Sequence, residues 1–257
     1  MDKIDRLGWA EGISFSPSGA DIGIRTNDAE YLPRLKEIVS SHGWELSDEE
    51  IVQLLVSLRV GPEGKKGKRN YSLLYMGTSQ VARSLDVDEV FGVLESILPE
   101  LVRATAKDSV FIPGSVVKWM DKLLVLPANG GTGRKTLLEE LEKNQASVLA
   151  RSFFSISPEG ELRLDDVEIE DESEKIICFT EYVAKNKSLR ARSLTPGESS
   201  LYLFSMGVSS RSQPALALSA VSSFASGVPS LKGNRGDVKQ AVKYLSKKID
   251  GLSSSRN

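Results

Sequence analysis

The chain predicts an α/β protein: a mixed sheet carrying a phosphate-loop-like strand–loop–helix, preceded by a small N-terminal α/β region. Two observations carry that expectation. A glycine-dense loop, Ala128-Asn129-Gly130-Gly131-Thr132-Gly133, separates the apolar run Leu124-Val125-Leu126-Pro127 from a stretch with a helical stripe, which is the setting of an anion-binding loop at a helix N-terminus. Short apolar runs bounded by turn residues flank other stretches of helical periodicity. With 257 residues, 40% hydrophobic and 26% charged, the chain can bury a core as one large domain or two small ones. The reading divides it into an N-terminal α/β region over residues 1–105, a phosphate-loop domain over 106–252, and a disordered tail over 253–257.

In order, residues 12–15 and 20–25 flank Ser16-Pro17-Ser18-Gly19 and read as a hairpin. Residues 28–41 place Leu32, Leu35, Ile38 and Val39 on one helical face. The next stretch is two-sided. Ser47 with Glu50 resembles a capping box, yet Leu54, Val56, Leu58 and Val60 alternate with Leu55, Ser57 and Arg59. A strand ending at Val60 is the preferred reading. Residues 61–69, with Lys65-Lys66-Gly67-Lys68-Arg69, read as a solvated loop tip rather than a nucleic-acid patch. Residues 71–75 and 79–83 form a second hairpin about Gly77, and a helix follows from Asp86. Glu89 is placed as its second capping residue, with Leu85 and Val90 as a hydrophobic staple and Val90, Phe91, Leu94, Ile97, Leu98 and Leu101 as its buried stripe.

Beyond Ser109 the reading is strand-rich: 110–112, 115–118 and 122–126, the last two turning at Trp119-Met120-Asp121. The glycine loop and its helix follow, with Leu137, Leu138 and Leu141 facing inward. Then come a strand at 147–150, a hairpin of 153–156 with 161–164 about Pro158-Glu159-Gly160, and strands at 175–183 and 201–208. Helices from Pro214 to about Phe224 and from near Asp237 to Gly251 close the chain.

Composition narrows the function classes. A formal charge of −2 gives no global attraction to nucleic acid or an anionic membrane. One cysteine, Cys178, precludes an internal disulfide and fits a reducing compartment. The start, Met1-Asp2-Lys3-Ile4-Asp5-Arg6, has no apolar signal region, and no apolar run approaches a membrane span, so the chain reads as cytoplasmic. His42 is the single histidine, and no Cys/His set exists for zinc.

The pattern of a nucleotide phosphate loop is G-x-x-x-x-G-K-[ST]. In that frame the first glycine is Ala128, Gly133 fits, the lysine is Arg134, and the magnesium-binding hydroxyl is Lys135. An alternate register uses Lys135 as the loop lysine and Thr136 as the hydroxyl. The candidate phosphate- or nucleotide-binding residues are Asn129, Gly130, Gly131, Thr132, Gly133, Arg134, Lys135 and Thr136. The bland alternative is a glycine-rich turn that only joins a strand to a helix.

These words lie in a recognisable order: Asp21-Ile22-Gly23-Ile24-Arg25-Thr26-Asn27, the 71–75 strand, the helix from Asp86, Phe111-Ile112-Pro113-Gly114-Ser115-Val116-Val117, the loop, and the hairpin turning at Gly160. The order resembles proteins related to the C-terminal domain of HPr serine kinase/phosphorylase, most specifically between residues 71 and 164. The resemblance implies an HPr-kinase-like core, makes ATP or another nucleotide the candidate ligand, and permits an oligomer. Such relatives carry a word like H-A-G-A-V before the loop and an acidic S-D-E or D-D word after it, serving the metal and the transferred proton. This chain has Ile112-Pro113 near the first word and Leu149-Ala150-Arg151-Ser152-Phe153 at the second. With the histidine, loop lysine, loop hydroxyl and acidic pair replaced together, the metal loses its protein anchors and phosphoryl transfer its charge neutralisation.

The expected function is therefore that of a catalytically degenerate HPr-kinase-like protein, with no catalytic or metal-ligating residues, acting by binding in a regulatory or scaffold role. Its expected partner is another protein, with either a nucleotide (ATP or another, held without firm magnesium binding) or phosphate as the candidate small ligand; nucleic acid and membrane are not expected. The alternative is an active ATP-dependent kinase of serine or small molecules using Lys135 and Thr136. Asp165, Asp166, Glu168, Glu170, Asp171, Glu172 and Glu174 read as a solvated acidic run, Cys178 as core, and His42 as a packing residue at a helix end.

Overall fold

In a computed structural model, Ser16-Pro17-Ser18-Gly19 turns the chain between β1 (Glu11–Phe15) and β2 (Ile22–Thr26), which pair antiparallel with Phe15 opposite Ile22. The structure describes residues 7–61, 70–128, 132–164, 167, 169, 173–185 and 189–254. Two compact units make up the chain, residues 1–108 and 109–257.

In the first unit, α1 (Leu32–Ser41) buries Leu35, Ile38 and Val39 and packs on β1. Short β3 (Leu46–Ser47) adds to β1, and β4 (Leu54–Arg59) pairs parallel with β2, so α1 lies in the crossover between two parallel strands. The alternation of residues 54–60 therefore prevails over the Ser47/Glu50 capping signal, because Val56 and Leu58 are needed in the core while Ser57 accepts a 2.8 Å hydrogen bond from Arg25 Nε. Strands β5 (Ser72–Met76) and β6 (Ser79–Ser84) turn at left-handed Gly77 and complete a six-stranded sheet in the order β3-β1-β2-β4-β5-β6. Helix α2 (Val87–Thr105) covers β5 and β6 with Val90, Phe91, Leu94, Leu98 and Val102.

The entry to α2 differs from expectation. Asp86 does cap, accepting from the Asp88 amide at 2.9 Å, but Leu85 is 61% exposed and forms no staple. Ser84 fixes the entry by polar bonds instead: its hydroxyl accepts from the Asp86 amide at 3.1 Å and donates to the Glu89 carboxylate at 2.6 Å. His42 closes α1 and stacks on Trp44, with ring centroids 4.5 Å apart.

The second unit is built on an eight-stranded mixed sheet. Its strands are β7 (Val110–Trp119), β8 (Lys122–Pro127), β9 (Ser147–Ala150), β10 (Phe153–Ile156), β11 (Leu162–Arg163), β12 (Lys175–Tyr182), β13 (Arg190–Leu194) and β14 (Ser230–Arg235). The order is β11-β10-β7-β8-β12-β14-β13, with β9 also on β7. Strands β8, β12 and β14 run parallel, and β7 and β13 are antiparallel to their neighbours. Helices cover both faces. Val125, Ile177 and Phe179 meet α4 (Pro196–Met206) and α5 (Pro214–Gly227) in one core. Leu124, Leu126, Ile176, Cys178 and Leu231 meet α3 (Arg134–Lys143) and α6 (Val238–Ser254) in the other. The near-continuous apolar runs of β8 and β12 are what a sheet covered on both sides requires.

Four expectations are corrected here. Residues 110–112 and 115–118 form one strand: Pro113 lacks an N–H, but it sits where β7 changes neighbours, opposite Phe153 on one side, with Gly114 opposite Pro127 on the other. Residues 201–208 are mostly helix α4, because Thr195 and Glu198 form a reciprocal capping box and Pro196 is preset at the first helical turn. Strands β13 and β14 were not expected; their apolar content is small and their pairing is set by distant residues. Helix α6 runs through Gly251 to Ser254, a glycine near a helix end costing only about 1 kcal/mol relative to alanine. The basic run 65–69 lies outside the described residues, as do Asp165, Asp166, Glu168, Glu170, Asp171 and Glu172 of the acidic run; Glu174 pairs with Lys122 at 2.8 Å. No helix among the described residues is long and apolar enough to cross a membrane.

Candidate functional site at the start of helix α3

Because β8, β12 and β14 are parallel, Pro127, Tyr182 and Arg235 all end their strands at one edge of the sheet. In open α/β sheets that carboxyl edge is where ligands bind. The glycine loop leaves β8 there. Asn129, Gly130 and Gly131 lie outside the described residues; Thr132, Gly133, Arg134, Lys135 and Thr136 lie within them.

Gly133 is the N-cap of α3 with φ 68° and ψ 20°, a left-handed conformation that glycine adopts without steric cost. Arg134 is the first helical residue, and Lys135 and Thr136 follow it in the first turn. The amides of Arg134, Lys135 and Thr136 have no carbonyl behind them in the helix; Leu137, which donates to the Gly133 carbonyl at 3.4 Å, is the first that does. No side chain caps them, and the first turn holds no acid. Two cations sit instead at the positive end of the helix dipole, the arrangement opposite to the one that stabilises a helix, at a cost of about 0.3–1 kcal/mol each. Lys135 and Thr136 are exposed, whereas Arg134 is half-buried, with Nη1 enclosed and lacking a hydrogen-bond partner. Burial pulls the Arg134 guanidinium below its ordinary pKa range.

Sequence reasoning missed the residue beneath this helix start. Arg235, at the end of β14, is 1% exposed and donates from Nη2 to the carbonyls of Thr132 at 3.1 Å and Gly133 at 2.5 Å. Its Nε is buried without a partner. Burial lowers its pKa, opposed by the neighbouring Tyr182 and Cys178. Five buried side-chain polar atoms lack partners among the described residues, and three are serine hydroxyls. The two that belong to ionised groups are Arg134 Nη1 and Arg235 Nε. The available sequence signal was Arg235-Gly236-Asp237, a strand end leading into a helix whose Gln240 amide donates to Asp237 Oδ1 at 2.8 Å.

Ile112, Pro113, Arg151 and Ser152 have structural tasks. Ile112 is buried in β7, and the Pro113 carbonyl accepts from the Ala128 amide at 2.9 Å. Arg151 pairs with Glu142 at 2.5 Å, its carbonyl accepts from Ser115 Oγ at 2.8 Å, and the Ser152 carbonyl accepts from the Gly114 amide at 2.9 Å. Cys178 is fully buried, remote from any nucleophile's need for access. The chain is an α/β protein, with two mixed sheets and six α-helices among the described residues. No protein-family model matches it, and no curated protein does.

Proposed function

We propose that the second unit is an HPr-kinase-like module that binds a phosphorylated ligand without transferring the phosphoryl group, and that the protein acts in a regulatory or scaffold role through a protein partner. One observation carries the reading: a left-handed glycine N-cap opens α3 directly onto Arg134 and Lys135, at the carboxyl edge of three parallel strands. A helix start with free-ended amides and two cations is a site for an anion, and a nucleotide phosphate is the ligand the HPr-kinase resemblance suggests. The absence of transfer is argued from the residue types. An ammonium at position 135 cannot ligate magnesium, and Arg151 and Ser152 offer no carboxylate where the family has its acidic pair.

Two measurements test this. Thermal melting with ATP, ADP, pyrophosphate or phosphate is expected to shift with at least one; a ligand at 100 times its Kd stabilises by about 2.7 kcal/mol. Incubation with labelled ATP and magnesium is expected to release no phosphate above the blank. Magnesium-dependent hydrolysis that disappears in Lys135→Ala would replace this reading with that of an active kinase using Lys135 and Thr136.

A further inference from the structure

We propose that the open face of the first unit's sheet is a docking surface for an acidic segment of a partner protein, held by Arg25, Arg59 and Arg83. The inference rests on the partner-binding half of the reading above and names the surface and the chemistry of what it holds.

Strand register places the three arginines together, because residues directly opposite each other in neighbouring strands share a face. Arg25 of β2 lies opposite Ser57 of β4, which lies opposite Tyr75 of β5. Two residues along, Arg59 lies opposite Leu73, and Leu73 opposite Arg83 of β6. The alternate positions Ile24, Val56, Leu58 and Leu74 point the other way, into the core made with α1 and α2, so both helices lie on the opposite side of the sheet. Arg83 is exposed, and Arg25, Arg59, Leu73 and Tyr75 are half-buried. A strand spacing of about 4.8 Å and a rise of about 3.3 Å per residue set the Cα of Arg59 about 8 Å from that of Arg25 and about 10 Å from that of Arg83. No strand position on this face of β1, β2, β4, β5 or β6 is acidic.

Composition selects the occupant. Arginine and tyrosine are enriched at protein interfaces and among the residues that dominate their binding energy. Three like charges on one face repel a second copy laid on it across a two-fold axis and attract carboxylates, which guanidiniums bind bidentately. A single-stranded nucleic acid would need bare aromatic faces on which to stack its bases. Two rings at the patch already carry a guanidinium instead: Arg25 Cζ lies 4.4 Å from the Trp9 ring centroid, and Arg83 Cζ 3.8 Å from that of Tyr71. A guanidinium laid over a ring keeps its in-plane N–H groups for carboxylate oxygens. Arg25 is further steadied by the 2.8 Å bond from Nε to Ser57 Oγ. Arginines ordered in this way lose less freedom when a partner docks.

The test is selection of a displayed library of random dodecapeptides on the immobilised full chain at physiological salt, followed by fluorescence anisotropy of the enriched peptides in solution. The expected result is enrichment of peptides carrying at least two carboxylates, whose affinity falls with added salt and falls at least tenfold for the double variant Arg59→Glu, Arg83→Glu. Enriched peptides without acidic residues, or acidic ones that bind the double variant as tightly as wild type, overturn this inference and leave the partner reading standing. No enrichment of any peptide overturns both. A decauridylate RNA that binds more tightly than the selected peptides and loses that binding in the double variant would make the face a nucleic-acid surface and refute the proposal. A dimer in sedimentation that the double variant abolishes would make it a contact between copies, with the same consequence. If the double variant loses the wild-type circular dichroism, Arg83→Gln decides, because that position is exposed: unchanged affinity for the acidic peptides refutes the proposal.

Discussion

Arg235 Nη2 and the Gly133 carbonyl are joined by a 2.5 Å hydrogen bond, which fastens the end of β14 to the N-cap of α3 across 102 residues of sequence. The glycine is needed on two counts. Its φ of 68° is left-handed, and a Cβ there would lie 3.0 Å from Arg235 Nη2 and 3.3 Å from Tyr182 Cβ.

Gly133→Ala is accordingly expected to destabilise the second unit by about 1–2 kcal/mol, the cost of a left-handed non-glycine residue. Urea unfolding followed by circular dichroism measures this. A midpoint equal to wild type would mean that the backbone at 133 relaxes to a right-handed conformation without penalty.

Gly160 makes a sharper case. It has φ 90°, and a Cβ would come within 2.6 Å of the Phe224 amide nitrogen and 2.7 Å of the Ser223 carbonyl carbon. Those atoms are backbone of α5 and cannot rotate aside. Gly160→Ala should therefore cost at least about 2 kcal/mol, combining the backbone conformation with displacement of a packed helix. The same urea experiment decides, and a loss under half of that would show the β10–β11 turn free to shift.

What was legible in the sequence follows the range of the forces involved. The hairpins at Ser16–Gly19 and Gly77 are set by turn residues next to the strands they join, and both are present. The stripe Leu137, Leu138 and Leu141 likewise lies on the buried face of α3. Helix α4 was also local, in the Thr195–Glu198 box, a signal that the strand expected at 201–208 leaves out. The pull of Leu203 into the core and the 68% exposure of Leu201 are three-dimensional facts.

Strand β14 was not readable locally. Ser230-Leu231-Lys232-Gly233-Asn234-Arg235 has one buried aliphatic side chain, and it is a strand because β12 and β13 flank it. For the candidate site, the loop and the cations at 134 and 135 were visible as an ordered motif. Arg235 was not, since its place beneath the loop arises only from parallel pairing with Tyr182.

The capping box of α4 offers a pH-dependent test. Thr195→Ala is expected to cost about 1 kcal/mol, the usual loss for an N-cap hydroxyl. Glu198 adds a titration: hydrogen bonds from Arg192 and from the Thr195 backbone hold its carboxyl down at about 2. A carboxylate with a depressed folded pKa contributes stability above its unfolded value, near 4.5, and loses it as pH falls towards 2. The pair is exposed, so the contribution is small. Glu198→Gln, which can still cap, should flatten the acid limb of the stability curve between those values and lower stability at pH 7 by the small contribution of the ionised Arg192 pair. An acid limb identical to wild type would show that the Arg192 pair does not persist in solution.

Cys178 supplies the last test, and its sign is opposite. The thiol is buried between α3 and α6, and burial raises its pKa from 9.0 to about 12, with Arg235 acting weakly the other way. In the folded protein it is therefore neither ionised nor accessible at pH 8, and a disulfide reagent should titrate no thiol in native protein and one in denaturant. Above pH 9 the unfolded chain releases this proton and the folded chain holds it, so stability should fall with rising pH, by up to about 1.4 kcal/mol per pH unit from this group. Lysines titrate in the same range, so the measurement is the difference between wild type and Cys178→Ala. That variant should lose stability at pH 8 through its small cavity yet show a shallower decline between pH 9 and 11. Rapid labelling of the native thiol at pH 8 would contradict both parts, because it would require the α3–α6 core to open while the remainder of the unit stays folded.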